Sequence, residues 1–409
     1  MESIVMQYVI SKNSFTPVIF ASIFSLAIIF YQGPHFLPKV TWGLLILLSI
    51  ALITLKVLKK APTISLSSIK IAVALTLWLS VPFTLSYKYI DPEINYKLGL
   101  ETILYVISCL LYLDYLFKNN LTSNFINFFS TIWLLISFLF LALYYLGLID
   151  YSTTFSGPYT NRNLYSVVCS LLIIYYLTIG NNVKSKNLRV FLLVCFILLT
   201  ASMKGLFGII LIFCLVKFKF KKIVNFLIIA VLTSSVLFFL YNADTLISQR
   251  LRAMAESLLN YDTSGIGSSS ERLWLLINGF DIALKNIWTG IGLYNSKYYL
   301  FPPWQEILAQ RRGETLDIGL YTHNNFLEIF LSTGIFGFIL YQTPILFYYI
   351  KSIFSRISNN NIYTLFPFVT MSYILFLNTG LVSYNMLPIV LFLVLSIKIS
   401  YEKHYEPKN

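Results

Sequence analysis

Apolar residues run along this chain in blocks of about twenty, the length a helix needs to cross a hydrocarbon core. Short polar or basic turns separate them. Windows of that size predict spans near 14–32, 40–58, 69–87, 98–117, 126–148, 163–180, 187–203, 205–220, 223–241, 325–350, 363–380 and 384–400. The seventh and eighth abut at Met203-Lys204-Gly205, and Lys217 and Lys219 at the end of the eighth must snorkel to the interface. Between the ninth and tenth the pattern changes: residues 242–324 are polar and far longer than any other connection. The expected fold is all-α, a polytopic transmembrane bundle of about twelve spans with one large outer loop containing amphipathic helices. It divides into 1–241 with helices one to nine, the extracytoplasmic loop 242–324, and 325–409 with the last three helices and a short tail.

Composition sharpens this picture. With 57% apolar and 11% charged residues and a mean hydropathy of +0.74, the chain is no ordinary cytosolic enzyme. Its 17% aromatics exclude disorder. A net charge of +13 would suggest nucleic acid in a soluble protein, but here the placement of the charges matters more. With the N-terminus inside, 18 of the 30 Lys and Arg residues fall in cytoplasmic segments and helix ends. The short outer loops hold five: Lys39, Lys88, Lys97, Arg162 and Lys204. The other seven lie in 242–324, and long loops translocate regardless of charge. Both termini are therefore expected in the cytoplasm, and no nucleic acid is expected as partner. The first span is too long for a cleavable signal and lacks a small-residue cleavage site. Cys109, Cys169, Cys195 and Cys214 sit in apolar runs without a CxxC pair and read as small buried hydrophobes. No internal repeat is visible.

A loop as long as 242–324 is usually functional. With seven basic and eight acidic residues it is nearly neutral, so it is not a clamp for lipid headgroups. Ser268 and Glu271 have capping-box spacing, and apolar residues at 273, 274, 276, 277, 280 and 284 follow at helical intervals. They predict an amphipathic helix on the outer membrane surface. Arg272 falls in its first turn, on a side shared with Gly279 and Ala283. A helix N-terminus plus a guanidinium makes an anion site suited to phosphate; a solvated charge beside Glu271 is the plainer reading.

The loop closes at 321–328, where Asn325 and Glu328 again have capping spacing, which gives Glu328 a structural explanation. His323 stands just outside the positive end of the helix that begins there. That position disfavours the imidazolium and leaves a neutral ring able to accept a proton, or simply a polar interfacial histidine. His35 and His404 have no obvious partners. Lys204 lies in the tight turn between spans seven and eight, where a positive charge needs a partner. Arg162 lies in the turn-forming stretch Ser156–Asn163. Each can be an ordinary interfacial charge. As a set, the outer face offers several cations and one histidine without a metal-ligand pattern, so neither a metal nor a cofactor is expected.

Four short motifs, in order, then resemble the O-antigen ligase and polymerase superfamily of bacterial surface-polysaccharide assembly. They are Gly157 to Asn163; Ser202-Met203-Lys204-Gly205; Arg272-Leu273-Trp274 leading to Gly290-Ile291-Gly292; and His323-Asn324-Asn325-Phe326-Leu327 followed by Gly334-Ile335-Phe336-Gly337. The resemblance covers roughly 155–345 and is most specific in the last motif. It implies a metal-independent glycosyltransferase at the outer face of the bacterial inner membrane, taking sugar chains from undecaprenyl pyrophosphate. It also implies that Arg272 binds phosphate and that His323 is the base for the acceptor hydroxyl. The family usually has arginine after the hairpin serine; here Met203-Lys204 follow, and lysine is a point charge without the bidentate grip. Arg162 is a weaker match to a pyrophosphate-binding position. The implied partners are an undecaprenyl-pyrophosphate-linked oligosaccharide and membrane lipid, with a regulator of chain length left open.

The chemistry is coherent in its own right. Departing pyrophosphate needs its charge neutralised, which arginines and a lysine provide without Mg²⁺, and a neutral histidine can take the proton of an attacking hydroxyl. Direct displacement inverts the anomeric carbon. The loop aromatics Trp288, Tyr294, Tyr298, Tyr299 and Trp304 suit sugar stacking or interfacial anchoring. An O-antigen polymerase is preferred over a ligase acting on lipid A–core, the departure at Lys204 suiting a divergent member. A secondary transporter, with Glu101 and Asp114 as intramembrane carboxylates, is the reading from another class. A metal-dependent transferase using Asp91 and Glu93 is more distant.

Overall fold

The computed structural model describes residues 15–31, 37–58, 92–119, 121–151, 154–159, 161–217, 249, 252, 255–256, 259, 268–293, 295–300, 322–358, 362–381 and 386–401. They form α1 (Phe15–Phe30), α2 (Leu37–Leu58), α3 (Pro92–Lys118), α4 (Thr122–Tyr145) and α5 (Arg162–Leu177), then a 3-10 turn at Ile179–Asn182. There follow α6 (Lys186–Leu199), α7 (Met203–Lys217), α8 (Ser268–Lys285), α9 (Asn325–Ser358), α10 (Ile362–Asn378) and α11 (Leu387–Tyr401). No strand occurs among the described residues. Ten of the twelve expected spans coincide with helices; 69–87 and 223–241, like most of 242–324, lie outside the described residues. Among the described residues two helices, Thr122–Tyr145 and Asn325–Ser358, are long and apolar enough to cross a bilayer. The 14 residues of α6 extend only about 21 Å, less than the ~30 Å core, so the seventh expected span is a short hairpin arm.

The bundle is built around α5, whose residues from Leu164 to Tyr176 are all buried. A helix apolar on every side has no solvent face to present, so it takes the centre and packs on α6, α7 and α10. Trp133 of α4 stacks on Tyr165 at 5.3 Å between ring centroids and donates its indole N–H to Cys169 Sγ at 3.3 Å. Ahead of α5, Tyr159 Oη donates to the carbonyl of Ile28 at 2.6 Å, tying the Gly157–Asn163 loop to α1. Gly157 has φ +59°, and a Cβ there would lie 2.3 Å from the Tyr165 ring, so only glycine fits. None of the four cysteines is in a disulfide; Cys109 and Cys169 are buried, Cys195 and Cys214 partly so. On the far side of the bundle α3 and α11 share a buried ion pair, Lys398 Nζ to Asp114 Oδ1 at 3.1 Å, with side chains only 1% and 3% exposed.

A second, smaller core forms where α8 meets α9. It contains Trp274, Leu275, Ala283, Ile291, Leu327 and Leu331. The side of α8 that carries Gly279 and Ala283 is therefore packed, with Gly279 against Thr322 and Leu327. Beyond α8, backbone meets backbone. The amides of Ile291 and Gly292 donate to the carbonyls of Leu331 and Ser332 at 2.9 and 2.8 Å, and Ile335 N donates to Ile287 O at 2.7 Å. This is possible because α9 breaks at Gly334 (φ +66°, ψ −170°) and exposes carbonyls that a continuous helix would use internally. A Cβ on Gly290 would come 2.4 Å from Ser332 O, and one on Gly334 would come 2.4 Å from Trp288 O. The two glycine motifs are the halves of one lock.

Candidate functional site

The hairpin between α6 and α7 sets the first side of the site. Ser202 caps α7: its Oγ accepts from Gly205 N at 3.2 Å and donates to Asn163 Oδ1 at 2.8 Å. Asn161 caps α5 through bonds from the amides of Asn163 and Leu164, so the starts of α5 and α7 are fastened together. Ala201, just before, has φ +45°, a conformation that costs a non-glycine residue about 1 kcal/mol or more. Lys204 sits in the first turn of α7, and its chain lies on Gly380, where a Cβ would come 3.3 Å from Lys204 Cε. Arg162 stands at the neighbouring start of α5. Its Nη1 donates to Thr154 Oγ1 at 3.0 Å, and Thr154 Oγ1 donates to the carbonyl of Thr200 at 2.9 Å.

The second side is the turn into α9. Asn324 caps that helix, accepting from Leu327 N at 3.0 Å, and its Nδ2 donates to the carbonyl of Thr379 at 3.3 Å. The cap is therefore one residue earlier than the spacing suggested; Asn325 is buried and donates to Tyr341 Oη at 3.3 Å. Glu328 has no capping role. Its carboxylate is buried and accepts from Ser296 Oγ at 2.6 Å and from Thr322 N and Oγ1, each at 3.0 Å. His323 lies between Thr322 and Asn324 with φ +54°. Thr379 and Gly380 thus join the two sides: one anchors the histidine's turn, the other carries Lys204.

Arg272 comes from the third side. Helix α8 already includes Ser268, so Arg272 is its fifth residue, just past the first turn rather than within it. Packing of Gly279 on Thr322 turns the start of α8 toward the other two groups, and Arg272 acts electrostatically on both Lys204 and His323.

The field in this cluster is positive. Burial pushes the His323 imidazole from 6.5 down to about 3, and the charges of Arg272 and Lys204 add to the effect. The ring is neutral at pH 7, chiefly from burial and from cations the linear sequence did not place together, rather than from the helix end alone. Burial, followed by repulsion from Arg272, brings Lys204 from 10.5 down to about 7. Among the described residues no ion pair joins Lys204 or Arg272 to a carboxylate. Two cations, one neutral imidazole and several helix N-termini make a place for an anion beside a proton acceptor.

Structure therefore brings Lys204, Arg272 and His323 together and holds Arg162 alongside, bonded to Thr154. Sequence reasoning missed Thr322, Ser296 and Gly380. The run Asn378-Thr379-Gly380 at the end of a span is a readable helix stop; nothing local marked Ser296. Trp288 is 65% exposed with its ring 5.8 Å from Phe336, and Lys297 Nζ lies 4.6 Å over Tyr298. Tyr294 and Trp304 lie outside the described residues, as do His35 and His404.

Residues 188–342 match the family described as O-antigen ligase, a stretch running from α6 into the second half of α9. It contains Lys204, Arg272 and His323 together with both halves of the glycine lock; Arg162 lies outside it. No curated protein matches the chain. The matched segment coincides with the part of the fold that builds the cationic cluster, and over that stretch the chain is similar to the O-antigen ligase family.

Proposed function

We propose that the protein polymerises lipid-linked repeat units of O antigen or a related surface polysaccharide. In this reading the growing chain leaves undecaprenyl pyrophosphate for a sugar hydroxyl of the next unit, at the outer face of the inner membrane, with 242–324 outside and both termini in the cytoplasm. Arg272 and Lys204, with Arg162 alongside, hold the pyrophosphate. The acceptor oxygen attacks the anomeric carbon and its proton passes to His323. The bond to the pyrophosphate oxygen breaks, and the departing group carries the electron pair toward the cations. The configuration inverts and no metal takes part. The observation that supports this most is a partly buried, neutral imidazole beside two cations that have no carboxylate partner among the described residues.

Ligation to lipid A–core uses the same donor and the same residues, and the family's own description favours it. Deleting the gene separates the two: a single repeat unit on the lipid acceptor means polymerase, none attached means ligase. For transport, Asp114 is engaged by Lys398 and the side chain of Glu101 lies outside the described residues. Proton-coupled uptake lost on neutralising Glu101 would favour that reading. Asp91 and the side chain of Glu93 also lie outside the described residues, and sensitivity to EDTA would favour a metal-dependent route.

The direct test is His323→Asn. Asparagine tolerates the left-handed φ of this position but cannot serve as a base. Transfer is expected to fall by about 10²–10⁴-fold with affinity for undecaprenyl pyrophosphate unchanged. Transfer at the parent rate would refute the role of His323.

A further inference from the structure

Among the described residues, the buried carboxylate near the cluster belongs to Glu328, and its three hydrogen bonds all serve the turn that carries His323 or the segment behind it. Oε2 accepts both the amide and the hydroxyl of Thr322, and Oε1 accepts the hydroxyl of Ser296. Thr322 Oγ1 is also 2.9 Å from the carbonyl of Asn324, so a single hydroxyl spans the histidine on its backbone side. On the other flank, Asn324 is held by the start of α9 and by Thr379. Both neighbours of His323 are thus fixed, and between them the residue adopts a φ of +54° that does not persist unless the surroundings impose it.

We infer that Glu328 is a positioning residue for the transfer reaction, holding His323 through Thr322 at the place where the acceptor hydroxyl arrives. This rests on the reading of His323 as the base. Holding α9 in place needs no carboxylate, because Asn324 already caps the helix and Gly290 and Gly334 lock it to the segment after α8. What the carboxylate adds is a charge-assisted grip on Thr322, one residue from the imidazole. Ser296 links the same carboxylate to the segment that follows Gly292, so the position of the base is referred to the element carrying Arg272.

The experiment compares the purified full-length parent with Glu328→Gln, Thr322→Val, His323→Asn and the double variant of Glu328 and His323. Substrate is lipid-linked oligosaccharide extracted from cells lacking the gene, and binding is measured with undecaprenyl pyrophosphate. A glutamine can keep both bonds from Thr322 on its single carbonyl oxygen, but its NH₂ then faces Ser296, whose hydroxyl must accept instead of donate, and the negative charge that tightens the grip on Thr322 is gone. Misplacing a reacting group by about 1 Å costs about 10²-fold. Glu328→Gln is therefore expected to lower kcat by about 10- to 100-fold with KM for the donor and Tm near the parent values. Thr322→Val keeps the amide bond and should fall in between, and it carries the test if the glutamine variant does not fold. In the His323→Asn background, Glu328→Gln should cost nothing further, because no base is left to place. Parent-like kcat in both single variants, with His323→Asn inactive, overturns the inference. So does a Glu328→Gln loss of equal size with and without His323. A parent-like rate in His323→Asn would instead remove the base, and with it anything to position.

Discussion

Filling the anion site with undecaprenyl pyrophosphate should raise the pKa of His323. In the free protein the imidazole is held at about 3 instead of 6.5, which is about 5 kcal/mol against protonation. A base that weak takes a proton poorly at neutral pH. Burial is the largest cause, and the charges of Arg272 and then Lys204 add to it. A bound pyrophosphate cancels their two charges, so a rise of about 1 to 2 units is expected while the burial share remains. By linkage, protonation of His323 and of Lys204 must tighten donor binding by the same free energy, and affinity should weaken as pH rises through about 7, where Lys204 loses its proton. The chain has three histidines, His35, His323 and His404, so replacing the outer two leaves one NMR signal to titrate with and without the lipid pyrophosphate. Equal pKa values in the two states, or a lower one in the bound state, would mean that the anion does not sit between these cations.

Lys204→Met should raise Tm at pH 7 and below while weakening donor use, because a partly buried cation beside Arg272 opposes folding. With the folded pKa below the unfolded one, stability of the parent rises between pH about 7 and 10.5, so the gain from methionine must shrink across that window; a pH-independent difference in Tm would refute the electrostatic account. Gly334→Ala should destabilise by several kcal/mol, since its Cβ would meet Trp288 O at 2.4 Å with φ at +66°; a variant of parent Tm would show that the lock is looser than described. Arg272→Lys should retain part of the donor affinity that Arg272→Ala loses, read by binding of undecaprenyl pyrophosphate, and equal losses would point to packing instead of phosphate contact.

Helical periodicity and twenty-residue blocks were enough to locate ten helices, because burial in lipid and burial in a bundle leave the same apolar signature. The length of α6 was not legible: Lys186 to Leu199 continues as apolar sequence into Ala201, and the stop at Thr200 depends on the hydroxyl of Thr154 donating to the carbonyl that Thr200 leaves unused. The three groups of the cluster were identifiable singly, as a lysine in a tight turn, an arginine near a helix start and a histidine before one. Their proximity was not, since it is set by Gly380 and Gly279, small residues whose meaning is a distance to another helix. Glu328 was misread for a related reason. Three-residue spacing from Asn325 suggested a local cap, whereas its partners, Ser296 and Thr322, come from across the loop.

Locking Gly290 to Gly334 through carbonyls and amides asks nothing of any side chain beyond the two glycines. Apart from Gly279 and its packing partners, and the bonds among Glu328, Thr322 and Ser296, residues on either side of it are free to diverge without changing how far Arg272 stands from His323. A chimera that exchanges 268–358 between distant relatives should therefore carry its own arginine-to-histidine geometry intact. The host would contribute the lysine hairpin and the walls against which the sugars fit, which makes this segment a transplantable cassette for asking which part of the molecule selects the polysaccharide.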